Sequence, residues 1–358
     1  MRCGLQFLML NAPSVLVVGT GSVGSRHINN LQALGAKVSA YRYRDELRND
    51  FALHHPGVML YSDLDEALSA DVEAVVVANR TDQHMRVALR AAKADKHLFI
   101  EKPLSHDYVG CQELFSLVEQ KNLKVEMGFM LRRHPNLMWI EQALTSGAIG
   151  KVYTACARVG QYLPDWRPAG DYRETYSAIK DWGGGAVLDL THELDYLVWW
   201  FGQVADVAAN APKLSDLEIN VEDVAQILLR FETGVLAQVQ MDYLRKRYHR
   251  SVEVVGSEGT LSWDYNTGSV HLLTRDAETL MDQIPTGFER NHMFLDHMCC
   301  FLERIVGDGR VRAISDLSDG GHVLKIAMAA HRSHQLRRFV SPIEIGTSDV
   351  ASIGPSTP

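Results

Sequence analysis

The sequence predicts a two-part α/β protein. A doubly wound parallel sheet over residues 1–128 precedes an α+β domain over 129–340, built on a large, mostly antiparallel sheet. Three observations predict it. Short apolar runs alternate with helical segments up to about residue 129, and a glycine-rich turn breaks the first of those runs. Beyond about residue 150 the strands lengthen and hairpin-type turns separate them. Strands alternating with helices imply parallel pairing through right-handed crossovers, whereas short turns imply antiparallel neighbours.

In order, Val15-Leu16-Val17-Val18 reads as a buried strand, followed by a helix to about residue 34 and a strand over 36–41. Residues 63–69 read as helix, Ala74–Val77 as strand, 83–94 as helix and Leu98-Phe99-Ile100 as strand. A helix over 106–121 and a strand over 124–129 complete the set. In the second part, 152–161, 204–212, 223–231, 235–244, 251–255 and 260–265 are the strand candidates. Glu232-Thr233-Gly234 and Gly256-Ser257-Glu258-Gly259 are the turn candidates. One helix (185–201) precedes most of these strands, and two (291–306 and 318–338) follow them; residues 341–358 form a polar tail. The strands 223–231 and 235–244 read as apolar runs with little polar alternation. That texture predicts a sheet covered on both faces, hence a homodimer or homotetramer assembled through it.

At 358 residues, with 46% hydrophobic and 22% charged side chains, the composition is that of an ordinary globular protein. A net charge of −8 offers no basic field for nucleic acid. The five cysteines, Cys3, Cys111, Cys156, Cys299 and Cys300, form no C-x-x-C pair, so free thiols and a reducing cytoplasm are expected. No apolar run is long enough to cross a bilayer, and Leu5–Leu10 lacks the cleavage site of a secretory signal, so no membrane partner is expected. The histidines His54, His55, His292, His297, His331 and His334 have no ligand-spaced partners, and no metal site is expected.

Gly19-Thr20-Gly21-Ser22-Val23-Gly24 is a G-x-G-x-x-G segment placed directly after a strand and before a helix. The first glycine permits the tight turn, the second lets backbone approach a pyrophosphate, and the third lets helix and strand pack closely. The helix N-terminus supplies donors for the anion, so this is read as a Rossmann dinucleotide site. The acidic residue expected about 20 positions on is missing, and Arg42 stands near its place. Arg42, with Arg44, suits a 2′-phosphate, which favours NADP over NAD. The alternative leaves the ribose to Asp45 or Glu46.

Several further segments follow in order: Asn79-Arg80-Thr81-Asp82-Gln83-His84, Glu101-Lys102-Pro103, Gly128–Pro135 and Gly183–Asp195. Together with the glycine loop they resemble the glucose–fructose oxidoreductase/inositol dehydrogenase (Gfo/Idh/MocA) family over about residues 14–340. The resemblance implies a nicotinamide-dependent oxidoreductase of sugars, polyols or nucleotide sugars, with an open-faced sheet in its second domain. It also implies that Glu101 and Lys102 lie beside the nicotinamide, with Lys102 at the reacting hydroxyl. Asn79, Thr81 and His84 would edge the cofactor. Arg80 departs from the proline common in the family at that place. Hydride leaves carbon while a base accepts the hydroxyl proton, and lysine suits that role in either direction.

Residues 161–182 form a long aromatic and charged connection of the kind that often serves as a lid. Trp166, Tyr172 and Tyr176 suit stacking on a sugar ring; Arg167, Arg173 and Lys180 suit a carboxylate or phosphate. The loop therefore points to an acidic sugar or nucleotide sugar, with an interface loop as the alternative. In the helix that follows, Asp189, His192 and Asp195 recur at i, i+3 and i+6 and are expected on one stripe. His192 is the candidate proton donor or acceptor beside Lys102, and Asp189 its orienter or the holder of a substrate hydroxyl. The family spaces its aspartate and histidine four apart, so here Leu188 occupies the expected aspartate position. Two other readings remain: a non-catalytic dinucleotide-binding regulator, and a nicotinamide-assisted lyase or glycosidase.

Overall fold

The computed structural model describes residues 12–42, 48–168, 170–281, 284–307 and 310–346. Arg44, Asp45 and Glu46, the leading segment 1–11 and the tail beyond 346 lie outside the described residues. The chain forms two compact units. One runs through Ser105 and adds Val109–Arg133 and Glu289–Gly320. The other comprises His106–Tyr108, His134–Phe288 and the segment from Gly321 on.

The first unit holds a six-stranded sheet of β1 (Ser14–Val18), β2 (Lys37–Tyr41), β3 (Met59–Tyr61), β4 (Ala74–Val77), β5 (His97–Ile100) and β6 (Val125–Met127). The order is β3-β2-β1-β4-β5-β6, with every pair parallel. Chain order reverses between β1 and β4, the switch point at which such sheets bind ligands beyond their carboxyl ends. Helices α1 (Ser22–Ala33), α2 (Arg48–His54), α3 (Leu64–Ser69), α4 (His84–Lys93) and α5 (Cys111–Gln120) make the crossovers. All of Val15–Val18 and Ala74–Val77 are buried, as a sheet covered on both faces requires. Two elements had no expectation in the sequence, α2 and the three-residue β3. The helix expected from residue 106 begins only at Cys111, because Gly110 precedes it in a left-handed conformation (φ 79°) that a continuing helix does not allow.

Helix α9 (Arg290–Val306) belongs to this unit although it lies far along the chain. Its Met298, Phe301 and Leu302 join Val15, Val17, Ile28, Leu31 and Phe99 in one apolar cluster. A buried carboxylate fixes its position: Glu126 on β6 accepts from His297 Nε2 (3.0 Å), Arg304 Nη1 (2.6 Å) and the backbone N–H groups of Ile314 and Ser315 (both 2.8 Å). Such a charge is tolerated inside because both oxygens accept, three donors meeting Oε1 and the Arg304 guanidinium meeting Oε2.

The second unit is built on eight strands: β7 (Val152–Gly160), β8 (Val204–Asn210), β9 (Val224–Phe231), β10 (Leu236–Asp242), β11 (His249–Gly256), β12 (Gly259–Asp264), β13 (Ser269–Thr274) and β14 (Glu278–Met281). Their order is β14-β13-β12-β11-β7-β10-β9-β8. All pairs are antiparallel except β7 and β10, which run parallel with Leu236 opposite Thr154. Helices α6 (Pro135–Thr145), α7 (Ala186–Asp189) and α8 (His192–Phe201) belong here; α10 (Leu317–Leu336) lies mostly in this unit. The strands β13 and β14 and helix α6 were not expected.

Three expectations are corrected. The helix expected over 185–201 is two helices, broken at Leu190 and Thr191, so Asp189 and His192 are not on one continuous stripe. Asp189, His192, Glu193 and Asp195 are all buried. Strand β9 alternates cleanly, with Ala225, Ile227, Leu229 and Phe231 buried and Gln226, Leu228 and Arg230 exposed. The run looked unbroken because Leu228 sits on the open face between two buried aliphatics. Cys111, Cys156 and Cys300 are not disulfide-bonded, but Cys299 is, against expectation; Cys3 lies outside the described residues. Among the described residues no helix is long and apolar enough to cross a membrane.

Candidate active site

In the first unit the turn between β1 and α1 is shaped by glycine. Gly19 has φ 97° and donates its N–H to Tyr41 O at 3.2 Å; a Cβ there would lie 2.5 Å from Asn79 N. A Cβ on Gly24 would lie 1.8 Å from Gly19 O, so helix and turn meet with no room for a side chain. Gly21, by contrast, caps α1 and opens onto empty space. Ser22 and Val23 are exposed at the helix start. Thr20 Oγ1 and Asn79 Oδ1 are buried without a hydrogen-bond partner among the described residues. Polar atoms are rarely left so, and here they belong to the turn after β1 and the residue near the end of β4. Open backbone at a helix N-terminus beside two unsatisfied polar atoms fits the diphosphate and neighbouring groups of a dinucleotide.

Arg42 follows β2 directly, its N–H donating to Tyr61 O at 3.3 Å, and its side chain is half-buried. Arg80 makes a bidentate pair with Asp82, at 2.6 and 2.9 Å. Thr81 is buried. His84 is buried too, with Nδ1 2.8 Å from Pro103 O and Nε2 3.1 Å from Asn79 O, so its ring links the segments after β4 and β5. Burial pulls its imidazole below the ordinary value of 6.5, against the two backbone bonds.

Glu101 and Lys102 follow β5. Glu101 Oε1 lies 2.7 Å from His27 Nε2, and its Oε2 accepts the Lys102 N–H at 3.3 Å. Burial pushes the Glu101 carboxyl up, but the bond and charge of His27, with Lys102 and His84, leave it below the ordinary 4.5. A Cβ on Gly128 would lie 2.8 Å from Glu101 Oε2, so the glycine after β6 makes room for the carboxylate. Lys102 is half-buried.

In the second unit the site residues converge on Asp189, which ends the one-turn helix α7. Its Oδ1 accepts from Tyr176 OH at 2.7 Å and its Oδ2 from Tyr243 OH at 3.0 Å. Trp166 packs edge-on against Tyr243 with ring centroids 5.3 Å apart, and the Arg167 guanidinium lies 5.8 Å from the Tyr176 ring centroid. At the other end of α7, Glu222 Oε1 accepts the Val187 N–H at 3.0 Å and faces His331 Nε2 at 3.1 Å. A Cβ on Gly185 would lie 2.4 Å from that same carboxylate oxygen. His192 opens α8 and is buried.

The loop 161–182 thus brings Trp166, Arg167 and Tyr176 to Asp189, but not Tyr172 or Arg173. Arg173 is exposed and pairs with both Asp171 and Glu218, each at 2.7 Å, while Tyr172 OH accepts the Glu218 N–H at 3.2 Å. Sequence reasoning missed His27, Tyr243, Glu222 and the partnership of His331. The signal for His27 was there, three residues past Gly24 and so one helical turn along the same face. Nothing local marks Tyr243 or Glu222. Among the described residues no group of three or more His, Cys, Asp or Glu side chains is arranged to hold a metal ion.

Comparison with known proteins bears on the fold and the family. Residues 14–129 match the oxidoreductase family with an NAD-binding Rossmann fold, and 138–262 match the GFO/IDH/MocA C-terminal domain. The chain is 28% identical over 345 residues to the myo-inositol 2-dehydrogenase of Thermotoga maritima, covering 92% of this chain and 98% of that one. It is 30% identical over 263 residues to inositol 2-dehydrogenase 2 of Saccharopolyspora erythraea, covering 69% and 71%. Among solved structures, a levoglucosan dehydrogenase in complex with NADH and levoglucosan shares the fold at TM-score 0.82 and 19% identity, over 92% of this chain and 99% of that one. GenD2 from gentamicin A biosynthesis, in complex with NAD, shares it at TM-score 0.78 and 23% identity, over 92% and 96%. The chain belongs to the Gfo/Idh/MocA family and is a nicotinamide-dependent dehydrogenase acting on CH–OH groups.

Proposed function

We propose that the protein moves hydride between a nicotinamide cofactor and a ring carbon of a sugar-like polyol that carries an acidic group. The cofactor supplies the hydride acceptor or donor when bound. Gly19–Gly24, with Thr20 and Asn79, would hold its diphosphate region, and Thr81, His84 and Glu101 would border it. Arg42, placed where β2 ends, favours NADP(H) over NAD(H), since a guanidinium matches a 2′-phosphate and an acidic side chain is missing from that position. Lys102 takes the hydroxyl proton as hydride leaves and returns it in reduction; Glu101, fixed by His27, sets the backbone before it. His192 serves as the second proton donor or acceptor, and Asp189 accepts a hydrogen bond from a substrate hydroxyl.

The observation that carries the acidic substrate is the state of the loop cations. Arg167 is exposed above Tyr176 and has no ion pair among the described residues, whereas Arg173 in the same loop is matched by two carboxylates. An unmatched guanidinium next to a half-buried tyrosine bonded to a buried aspartate suits a carboxylate or phosphate on the substrate. Inositol, on which the relatives named above act, has no such group. We also propose assembly into a homodimer or homotetramer through the open face of the second sheet, where Leu228 and Leu236 are each more than half exposed.

The test is a panel of neutral polyols, sugar acids and nucleotide sugars scored by thermal shift with and without NADP(H) or NAD(H). A ligand that stabilises only alongside cofactor names the substrate class through linkage. With that substrate, Lys102→Met and His192→Ala should each cut turnover by ~10²-fold or more while cofactor binding persists. Arg167→Ala should raise KM for an acidic substrate and leave a neutral one unaffected. If neutral polyols alone are turned over, the acidic reading fails.

A further inference from the structure

We propose that Tyr176 and Tyr243 are positioning residues that fix the Asp189 carboxylate from two sides, one hydroxyl coming from the long loop and the other from the sheet. The proposal rests on the reading of Asp189 as an acceptor for a substrate hydroxyl and goes on to say what orients it.

A buried carboxylate needs donors, and Asp189 receives one on each oxygen, at 2.7 Å from Tyr176 and 3.0 Å from Tyr243. Donors on separate oxygens fix rotation about the Cβ–Cγ bond, which a single donor would leave free. An ionised carboxylate is acceptor-only, which is the chemistry that the proposed bond from a substrate hydroxyl requires. Its backbone is anchored as well. Asp189 ends a one-turn helix whose first N–H groups go to Glu222, Ala186 to the backbone oxygen at 3.1 Å and Val187 to the side chain at 3.0 Å.

The tyrosines are themselves held. The Tyr243 N–H donates to Asp223 O at 2.8 Å, and Trp166 packs edge-on against its ring. Tyr176 lies under the Arg167 guanidinium. Burial first, then the Asp189 charge, pushes both phenols well above their ordinary value of 10, so both stay protonated and donate throughout the working range. Trp166 and Tyr176 sit in one loop; Tyr243 sits after β10. The order of the loop and the aim of the carboxylate are therefore one structural state.

The test uses the full-length protein and five variants: Tyr176→Phe, Tyr243→Phe, Asp189→Asn and each tyrosine change combined with Asp189→Asn. Each is measured in two ways, by initial rates with NAD(P)⁺ and myo-inositol, glucose or glucuronate as probes, and by urea unfolding. The expected result is a roughly tenfold fall in kcat for either Tyr→Phe, with KM for the cofactor unchanged. Added to Asp189→Asn, neither change should lower kcat further, because both act through that carboxylate. In unfolding, each tyrosine should be coupled to Asp189 by about tenfold in the equilibrium constant. Losses in kcat that multiply, or an unchanged kcat with lower stability alone, would overturn the proposal. If the unaltered protein turns over none of the probes, that failure belongs to the proposed function. The unfolding cycles then decide the clamp, and absence of coupling overturns it.

Discussion

His27 Nε2 lies 2.7 Å from Glu101 Oε1, with the histidine fully buried and the glutamate nearly so. The relationship joins two parts of the first unit that the linear sequence keeps 74 residues apart. His27 stands one turn into the helix that starts at the glycine loop; Glu101 immediately precedes Lys102. Phe99 and Phe294 flank the imidazole edge-on at 5.2 and 6.2 Å, so the donor is held by packing. The helix that would receive the cofactor diphosphate and the residue before the proposed proton carrier are thus tied by one bond.

Replacing His27 with Phe keeps the aromatic packing and removes the donor. Burial would then dominate the Glu101 carboxyl, which in the native protein lies below its ordinary 4.5. A carboxylate depressed in the folded state adds stability above its unfolded pKa, and that stability is lost as pH falls through the lower folded value. The variant should be less stable by about 1–3 kcal/mol at neutral pH. Its deficit should shrink as pH approaches 4, read from thermal melts across pH 4–8. A deficit that stays constant over that range would count against the role given to His27.

Two alanine substitutions in the glycine loop should behave differently. Gly24→Ala places a methyl 1.8 Å from Gly19 O and should destabilise the folded protein before any ligand is added, by about 1–3 kcal/mol. Gly21→Ala enters open space and should leave the melting temperature near the native value. Its methyl occupies the path by which a diphosphate reaches the helix N-terminus, so dinucleotide affinity should fall at least tenfold. Fluorescence titration with NADH and NADPH, beside melts of the ligand-free proteins, checks both. Equal effects on stability would show that the three glycines merely make a turn.

Most of the first sheet was legible because its strands are buried on both faces and therefore read as unbroken aliphatic runs, Val15–Val18 and Ala74–Val77 above all. The three-residue β3 was not, since Met59 is exposed and Leu60 and Tyr61 only partly buried, which leaves no period to detect. In the second sheet the same habit misled: Leu228 on the open face made an alternating strand look continuous. At the candidate site, residues in short recognisable segments could be picked from the chain, including Lys102 in Glu101-Lys102-Pro103 and Asp189 and His192 after the glycine run 183–185. Their partners could not. Tyr243 reaches Asp189 across 54 residues and His331 reaches Glu222 across 109, and such pairings are set by sheet and helix packing rather than by local pattern.

Glu126 holds α9 to β6 and should be the most costly single position in the first unit. Its carboxylate takes four donors, and the charge on Arg304 is paired there. Glu126→Ala leaves the Arg304 charge uncompensated and His297 without its carboxylate partner, and opens a cavity, so a loss of about 3–5 kcal/mol is expected. Glu126→Gln keeps the shape but turns donors toward donors, and should recover only part of it. Urea unfolding of both variants measures the order; an alanine variant within 1 kcal/mol of native, the scale of an exposed ion pair, would make the cluster incidental.

His331 offers a pH test of the segment that carries Asp189. Burial lowers its imidazole pKa, but the charge and hydrogen bond of Glu222 raise it further, leaving it above the ordinary 6.5. A histidine whose folded pKa is raised contributes stability that is complete below its unfolded value and is lost as pH rises through the folded one. His331→Asn should therefore be less stable than the native protein at pH 5–6, and the two should converge above pH 6.5 as the native imidazole loses its proton. Glu222 also holds the Val187 N–H at the start of α7, so the same titration loosens the turn that ends in Asp189. Thermal melts of the native protein and His331→Asn from pH 5 to 9 read the difference directly. A difference that stays flat, or that grows toward alkaline pH, would mean that Glu222 holds the helix start without help from His331.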